Sequence, residues 1–111
     1  MIVIEKNAGE KIPFEVDGAK ICFDDDLTIN LAKREEDWDV HIDVCHDEGG
    51  ALVLGAAAGR SYVAEIDIPA RKYIQTGAPA QDEPHDDGDS KSVEPMPFSM
   101  DNVTLSLWAL T

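Results

Sequence analysis

The sequence predicts an all-β protein, a small antiparallel β-sandwich or barrel of about seven to eight strands. Two observations carry that expectation. Apolar residues recur at every second position over much of the 111-residue chain, which is the period of a strand with one buried face. Turn-forming pairs and acidic clusters interrupt these runs at a spacing of roughly ten residues, as in sandwiches and small barrels.

The first hairpin is the simplest to place. Phe14 and Val16 alternate with Glu15, and Ile21 and Phe23 alternate with Lys20, Cys22 and Asp24. Asp17-Gly18 lies between them and favours the positive φ angles of a tight turn. Asp24-Asp25-Asp26 makes the next turn, after which Leu27, Ile29 and Leu31 alternate with Thr28, Asn30 and Ala32. The segment KREED then forms a charged connection. Residues 37–50, DWDVHIDVCHDEGG, give the clearest strand. Trp38, Val40, Ile42 and Val44 point one way, and Asp39, His41, Asp43 and Cys45 point the other. A helix would scatter those four apolar residues around its circumference.

Beyond Glu48-Gly49-Gly50, the stretch ALVLGAAAG suits a doubly buried strand or a short helix equally. Residues 61–68 alternate again, with Tyr62, Ala64, Ile66 and Ile68 set against Ser61, Val63, Glu65 and Asp67. Pro69 then removes a ladder donor and marks an edge or a bend. VTLSLWALT is a further strand. The core is expected to hold Phe14, Ile21, Phe23, Ile29, Leu31, Trp38, Val40, Ile42, Val44, Ile66, Leu105 and Leu107. Residues 77–97, with four of the six prolines and six acids, hold too little apolar surface to offset the ordering cost of about 1–2 kcal/mol per residue. They read as a mobile acidic loop within one domain spanning 1–111.

Charge narrows the partners. Nine Lys+Arg against 23 Asp+Glu give a net charge of −14, and the few bases are scattered, which argues against nucleic acid and anionic membranes. A protein partner, a basic one above all, or a homo-oligomer suits this charge better. No apolar run reaches the length of a membrane span, and MIVIEKNAGEK lacks the features of a signal peptide. Cys22 and Cys45 are too few for a disulfide framework and read as free thiols, so a cytoplasmic protein is expected.

Candidate chemistry centres on residues 41–48. His41 and Asp43 share one face of their strand, with Cβ atoms roughly 6–7 Å apart from the strand rise. Glu48 in the following turn is the third candidate ligand, and His46 and His85 are further candidates. Imidazole with carboxylates suits zinc, iron or manganese. The spacing His41-x-Asp43, four residues, Glu48, six residues, Gly55 resembles the first metal motif of the cupin family. EIDIPARKYI is similar to that family's second motif, with Pro69 in the proline's place. The resemblance implies a metal-dependent β-barrel using His41, Asp43 and Glu48. Asp43 stands where the motif has histidine, Glu35 where it has glycine, and Ile74 where it has its last histidine.

Other motifs are weaker. Residues 83–94 can be laid on a twelve-residue calcium loop, with Gly88 sixth and Glu94 twelfth, but the prolines at 79, 84, 95 and 97 forbid its flanking helices. GAAAGRS has one residue too few between its glycines for a phosphate loop, and Arg60 where lysine belongs. No G-x-S-x-G, H-E-x-x-H or C-x-x-C is present. Trp108 falls opposite Leu105 and Leu107, where an exposed Trp would anchor a partner. The sequence therefore points to a non-enzymatic interaction or structural module, as a subunit of a larger assembly or a homo-oligomer, with no cofactor beyond a divalent metal. Small accessory proteins of phages and mobile elements have this general make-up.

Overall fold

A computed structural model describes residues 1–57, 59–75 and 93–110. The protein is all-β. The strands among the described residues are β1 (Ile2–Glu5), β2 (Phe14–Asp17), β3 (Lys20–Phe23), β4 (Leu27–Asn30), β5 (Val40–His46), β6 (Leu52–Leu54), β7 (Ser61–Ile68), β8 (Tyr73–Gln75), β9 (Val93–Pro95) and β10 (Thr104–Leu107). They form a five-stranded sheet in the order β1-β10-β7-β5-β6, a three-stranded sheet β2-β3-β4 and a two-stranded ribbon β8-β9. No helix among the described residues is long and apolar enough to cross a membrane.

The small sheet follows the sequence pattern closely. Phe14 pairs with Phe23 and Asp17 with Lys20, so the hairpin closes through Gly18, whose φ is +61°. The acidic turn has a more exacting backbone. Asp24 and Asp25 both take positive φ, 55° and 54°, and the Asp26 N–H donates to the Phe23 carbonyl at 2.9 Å. Two successive left-handed residues closing an i to i+3 bond make a type I′ turn, which aspartate tolerates better than bulkier residues.

Both larger sheets feed one core. Ile21, Phe23, Ile29 and Leu31 from the small sheet join Ile42, Val44, Ala64, Ile66, Ile68, Leu105 and Leu107 from the large one in a single buried cluster. Val63 on β7, with Ile12 and Val103 in the connections, completes it. The strands therefore use their apolar alternate positions as expected. Phe14 and Val40 pack at the rim, partly buried.

Four expectations are corrected. Trp38 is 63% exposed. β5 begins only at Val40, because the connection before it is tied sideways to the start of the ribbon. The Asp39 carboxylate accepts the Ala70 N–H at 2.9 Å, and Asp37 accepts both Arg71 and the Tyr73 hydroxyl, at 2.8 and 2.6 Å. The sheet is also not wholly antiparallel, since β1 lies parallel to β10, with Ile2 opposite Thr104. The expected loop at 77–97 is shorter at its far end: Val93–Pro95 pairs with Tyr73–Gln75. Pro95 is tolerated because a two-stranded ribbon is all edge. Residues 77–92 lie outside the described residues.

The fourth correction concerns Cys45, expected on the wet face but 1% exposed. Pairing runs Val44 with Ala64 and then Cys45 with Tyr62, so Val63 is an extra residue on β7. This bulge sends Val63 inward beside Ala64, and turns Tyr62 to the face away from the core. The chain between β6 and β7 then folds over Cys45. A Cβ on Gly59 would stand 2.4 Å from the Cys45 Cβ and 2.8 Å from its Sγ, so only glycine fits there. Cys22 and Cys45 are both free thiols and sit in different sheets.

Candidate functional site

The strand register alone determines which polar side chains meet. β5 and β7 are antiparallel neighbours at the centre of the large sheet, with His41 opposite Asp67 and Asp43 opposite Glu65. Ile42, Val44, Ile66 and Ile68 fill the core from one face. The four alternate residues between them therefore gather on the other face. Two strands of the pattern His-x-Asp and Glu-x-Asp, paired in this register, make one compact group.

The distances define its centre. His41 Nδ1 lies 2.6 Å from Asp67 Oδ1, and His41 Nε2 lies 2.7 Å from Asp43 Oδ1 and 3.4 Å from Glu65 Oε1. Ligand atoms of His41, Asp43 and Glu65 all fall within 4.8 Å of one another. The His41 side chain is 47% exposed, whereas Asp43 and Glu65 are each 21% exposed. The imidazole thus opens to solvent above two well-covered carboxylates.

Neighbouring groups hold the carboxylates in place. Trp108 Nε1–H donates to Glu65 Oε2 at 2.6 Å, leaving Oε1 toward His41. Trp108 itself is half-buried, with the Tyr62 ring 6.5 Å away and Lys6 Nζ 5.7 Å from its centroid. Tyr62 has its hydroxyl pKa raised, chiefly by the Asp43 charge. Ser106, cross-strand from Glu65, is buried. Burial also pushes the Cys45 thiol up, with Asp43 and Glu65 adding to the effect.

The hydrogen bond to Asp67 raises the pKa of His41 above 6.5, against some desolvation, with Asp43 adding to the rise. A histidine whose pKa is raised on folding stabilises the fold fully below its unfolded value and loses that contribution as pH rises through the folded value. In metal-free protein, stability is therefore expected to fall from about pH 6.5 upward. The charged groups facing the ring are Asp43 on β5 and Glu65 and Asp67 on β7. An NMR titration of the His41 ring with EDTA present checks this, and His41→Asn should flatten the alkaline loss.

The structure brings together two of the three metal candidates read from sequence. His41 and Asp43 meet, but Glu48 lies in the turn after β5, its carboxylate 3.3 Å from Arg60. Glu65 takes the third position. Its signal was present in the sequence, since Glu65-x-Asp67 is a second polar pair on a second alternating strand. His46 ends β5 and is not among the three grouped ligands. His85 lies outside the described residues, as does the proposed calcium loop apart from Val93 and Glu94. The cupin resemblance implied a ligand set within a barrel, whereas His41 and Asp43 stand on the face of the sheet opposite the core.

Fold and cluster together define an all-β protein carrying a histidine–carboxylate group on the outer face of its five-stranded sheet. No family model matches the chain, and comparison with curated proteins and with solved structures returned no match.

Proposed function

We propose that the protein is a non-enzymatic structural or interaction module that receives an extended segment of a protein partner along β1. The observation behind this reading is the make-up of that strand. β1 is the edge of the five-stranded sheet, and Ile2, Val3 and Ile4 are all exposed. Their side chains alternate between the two faces, so both sides of the edge are apolar. The Ile2 and Lys6 N–H groups donate to Val103 and Leu107, and alternation leaves the main-chain groups of Val3 and Glu5 aimed away from the sheet. Natural edges are usually guarded by proline, inward charges or bulges. β1 consists of IVIE, whose single charge is at its end.

The net charge of −14 selects the occupant. Two copies of so acidic a chain repel one another at low ionic strength, whereas a basic strand is attracted. Strand addition supplies affinity through main-chain hydrogen bonds and specificity through alternate side chains. Neither nucleic acid nor a membrane fits the same charge.

Hydrogen exchange tests the reading. An added peptide of alternating valine and lysine is expected to slow exchange at the Val3 and Glu5 amides. Val3→Pro should abolish that protection without disturbing β10, because the Val3 N–H points outward. A dimer at low salt that protects the same amides would make a second copy the occupant. Fast exchange at both amides with peptide present, in a protein that stays monomeric at every salt concentration, would sink the proposal.

A further inference from the structure

We propose that His41, Asp43 and Glu65 form a binding site for a divalent transition ion of the zinc type, with Asp67 holding the imidazole from behind. Ionised carboxylates only accept hydrogen bonds. In the metal-free protein both ring nitrogens face a carboxylate, Nδ1 that of Asp67 and Nε2 that of Asp43, so a protonated ring donates to each. A metal ion can take the place of the Nε2 proton, between the imidazole and the Asp43 and Glu65 carboxylates, while Asp67 keeps its bond to Nδ1–H. A carboxylate behind a ligating histidine, fixing its tautomer, is the usual outer shell of a metal-bound imidazole.

The spacing fits such an ion. Two ligand atoms at about 2.1 Å from a tetrahedral zinc stand about 3.4 Å apart, and Nε2 lies 3.4 Å from Glu65 Oε1. The 2.7 Å from Nε2 to Asp43 Oδ1 is shorter, so the ion must part that pair by several tenths of an ångström, within reach of a carboxylate rotation.

The carboxylates are also prepared from outside the group. Trp108 holds one oxygen of Glu65 and leaves the other for the site. Asp43 and Glu65 are largely covered, and the ligands rise from two neighbouring strands inside the sheet, not from a loop. The mixed donor set decides the class of ion. Calcium and magnesium take oxygen ligands, while imidazole with carboxylates suits zinc, iron and manganese. Three protein ligands on an open face leave the remaining positions to water. This inference is independent of strand addition at β1, because the cluster lies on β5 and β7.

Zinc titrated calorimetrically into metal-free protein, in excess magnesium, tests the proposal, with cobalt absorption as a second readout. One equivalent is expected to bind. His41→Ala should abolish the tight site, Glu65→Gln should weaken it, and Asp67→Asn should weaken it about 10–100-fold. Glu48→Gln should bind as the parent does. Circular dichroism separates loss of the site from loss of the fold, and His41→Gln repeats the test with a side chain of similar size. Binding that magnesium displaces, or that His41→Ala and His41→Gln leave intact, overturns the site. So does a loss in Glu48→Gln equal to that in Glu65→Gln.

Discussion

Phe23→Ala is expected to destabilise the protein by about 3–5 kcal/mol, at the upper end for the truncation of one side chain. Phe23 is fully buried and lies opposite both Phe14 and Leu27 in its sheet, with the Phe14 ring 6.5 Å away. It is the largest side chain by which the three-stranded sheet enters the common core. Native stabilities are only about 5–15 kcal/mol, so the loss removes a large share of the total. Urea unfolding measures it, with Trp38→Ala as the contrast. Trp38 is a larger residue but mostly exposed, and its truncation should cost within about 0.5 kcal/mol. If the two variants unfold at the same urea concentration, the small sheet is not seated on the large one.

Gly59→Ala is expected to cost about 1–3 kcal/mol through overpacking. The new methyl would overlap the Cys45 Cβ at 2.4 Å and its Sγ at 2.8 Å. The measurement has two parts. The thermal midpoint should fall, and Cys45, slow toward a thiol reagent in the parent, should react as its cover lifts. Cys45→Ala removes the sulfur and part of the overlap, so the double variant should be more stable than the sum of the two single losses implies. Strict additivity would place the cause elsewhere than at this contact.

Both effects depend on features that differ in how far sequence reveals them. The period of two in FEV, KICF, LTIN and VHIDV located β2, β3, β4 and β5, because a strand with one buried face must alternate. Phe23 was thus legible as core. The bulge at Val63 was not. A single extra residue on β7 leaves the composition unchanged, yet it exchanges the faces of Tyr62 and Val63 and places Cys45 under Gly59. Trp38 departs from the pattern for a related reason, since the Asp37 and Asp39 carboxylates accept hydrogen bonds from Ala70, Arg71 and Tyr73 near the strand's start. β1, β8 and β9 carry no such periodic signal because they are short and exposed, held by partners distant in sequence. The cluster was half legible. His41 and Asp43 share a strand, so their common face follows from spacing. Glu65 and Asp67 join them only through the β5–β7 register, which no local pattern encodes.

The parallel pairing of β1 with β10 has a consequence for how the protein is made. Ile2 meets Thr104, so β1 leaves the ribosome well before the strand it pairs with. β10 also separates β1 from β7, and β1 has no place in the sheet until it arrives. At translation speeds of about 5–20 residues per second, the nascent chain carries an unpaired IVI segment for roughly 5–20 s. Closing so long a loop puts this protein among slow-folding β topologies, on a scale of roughly milliseconds to seconds once β10 is available. Through that interval the segment's apolar side chains have no sheet to join.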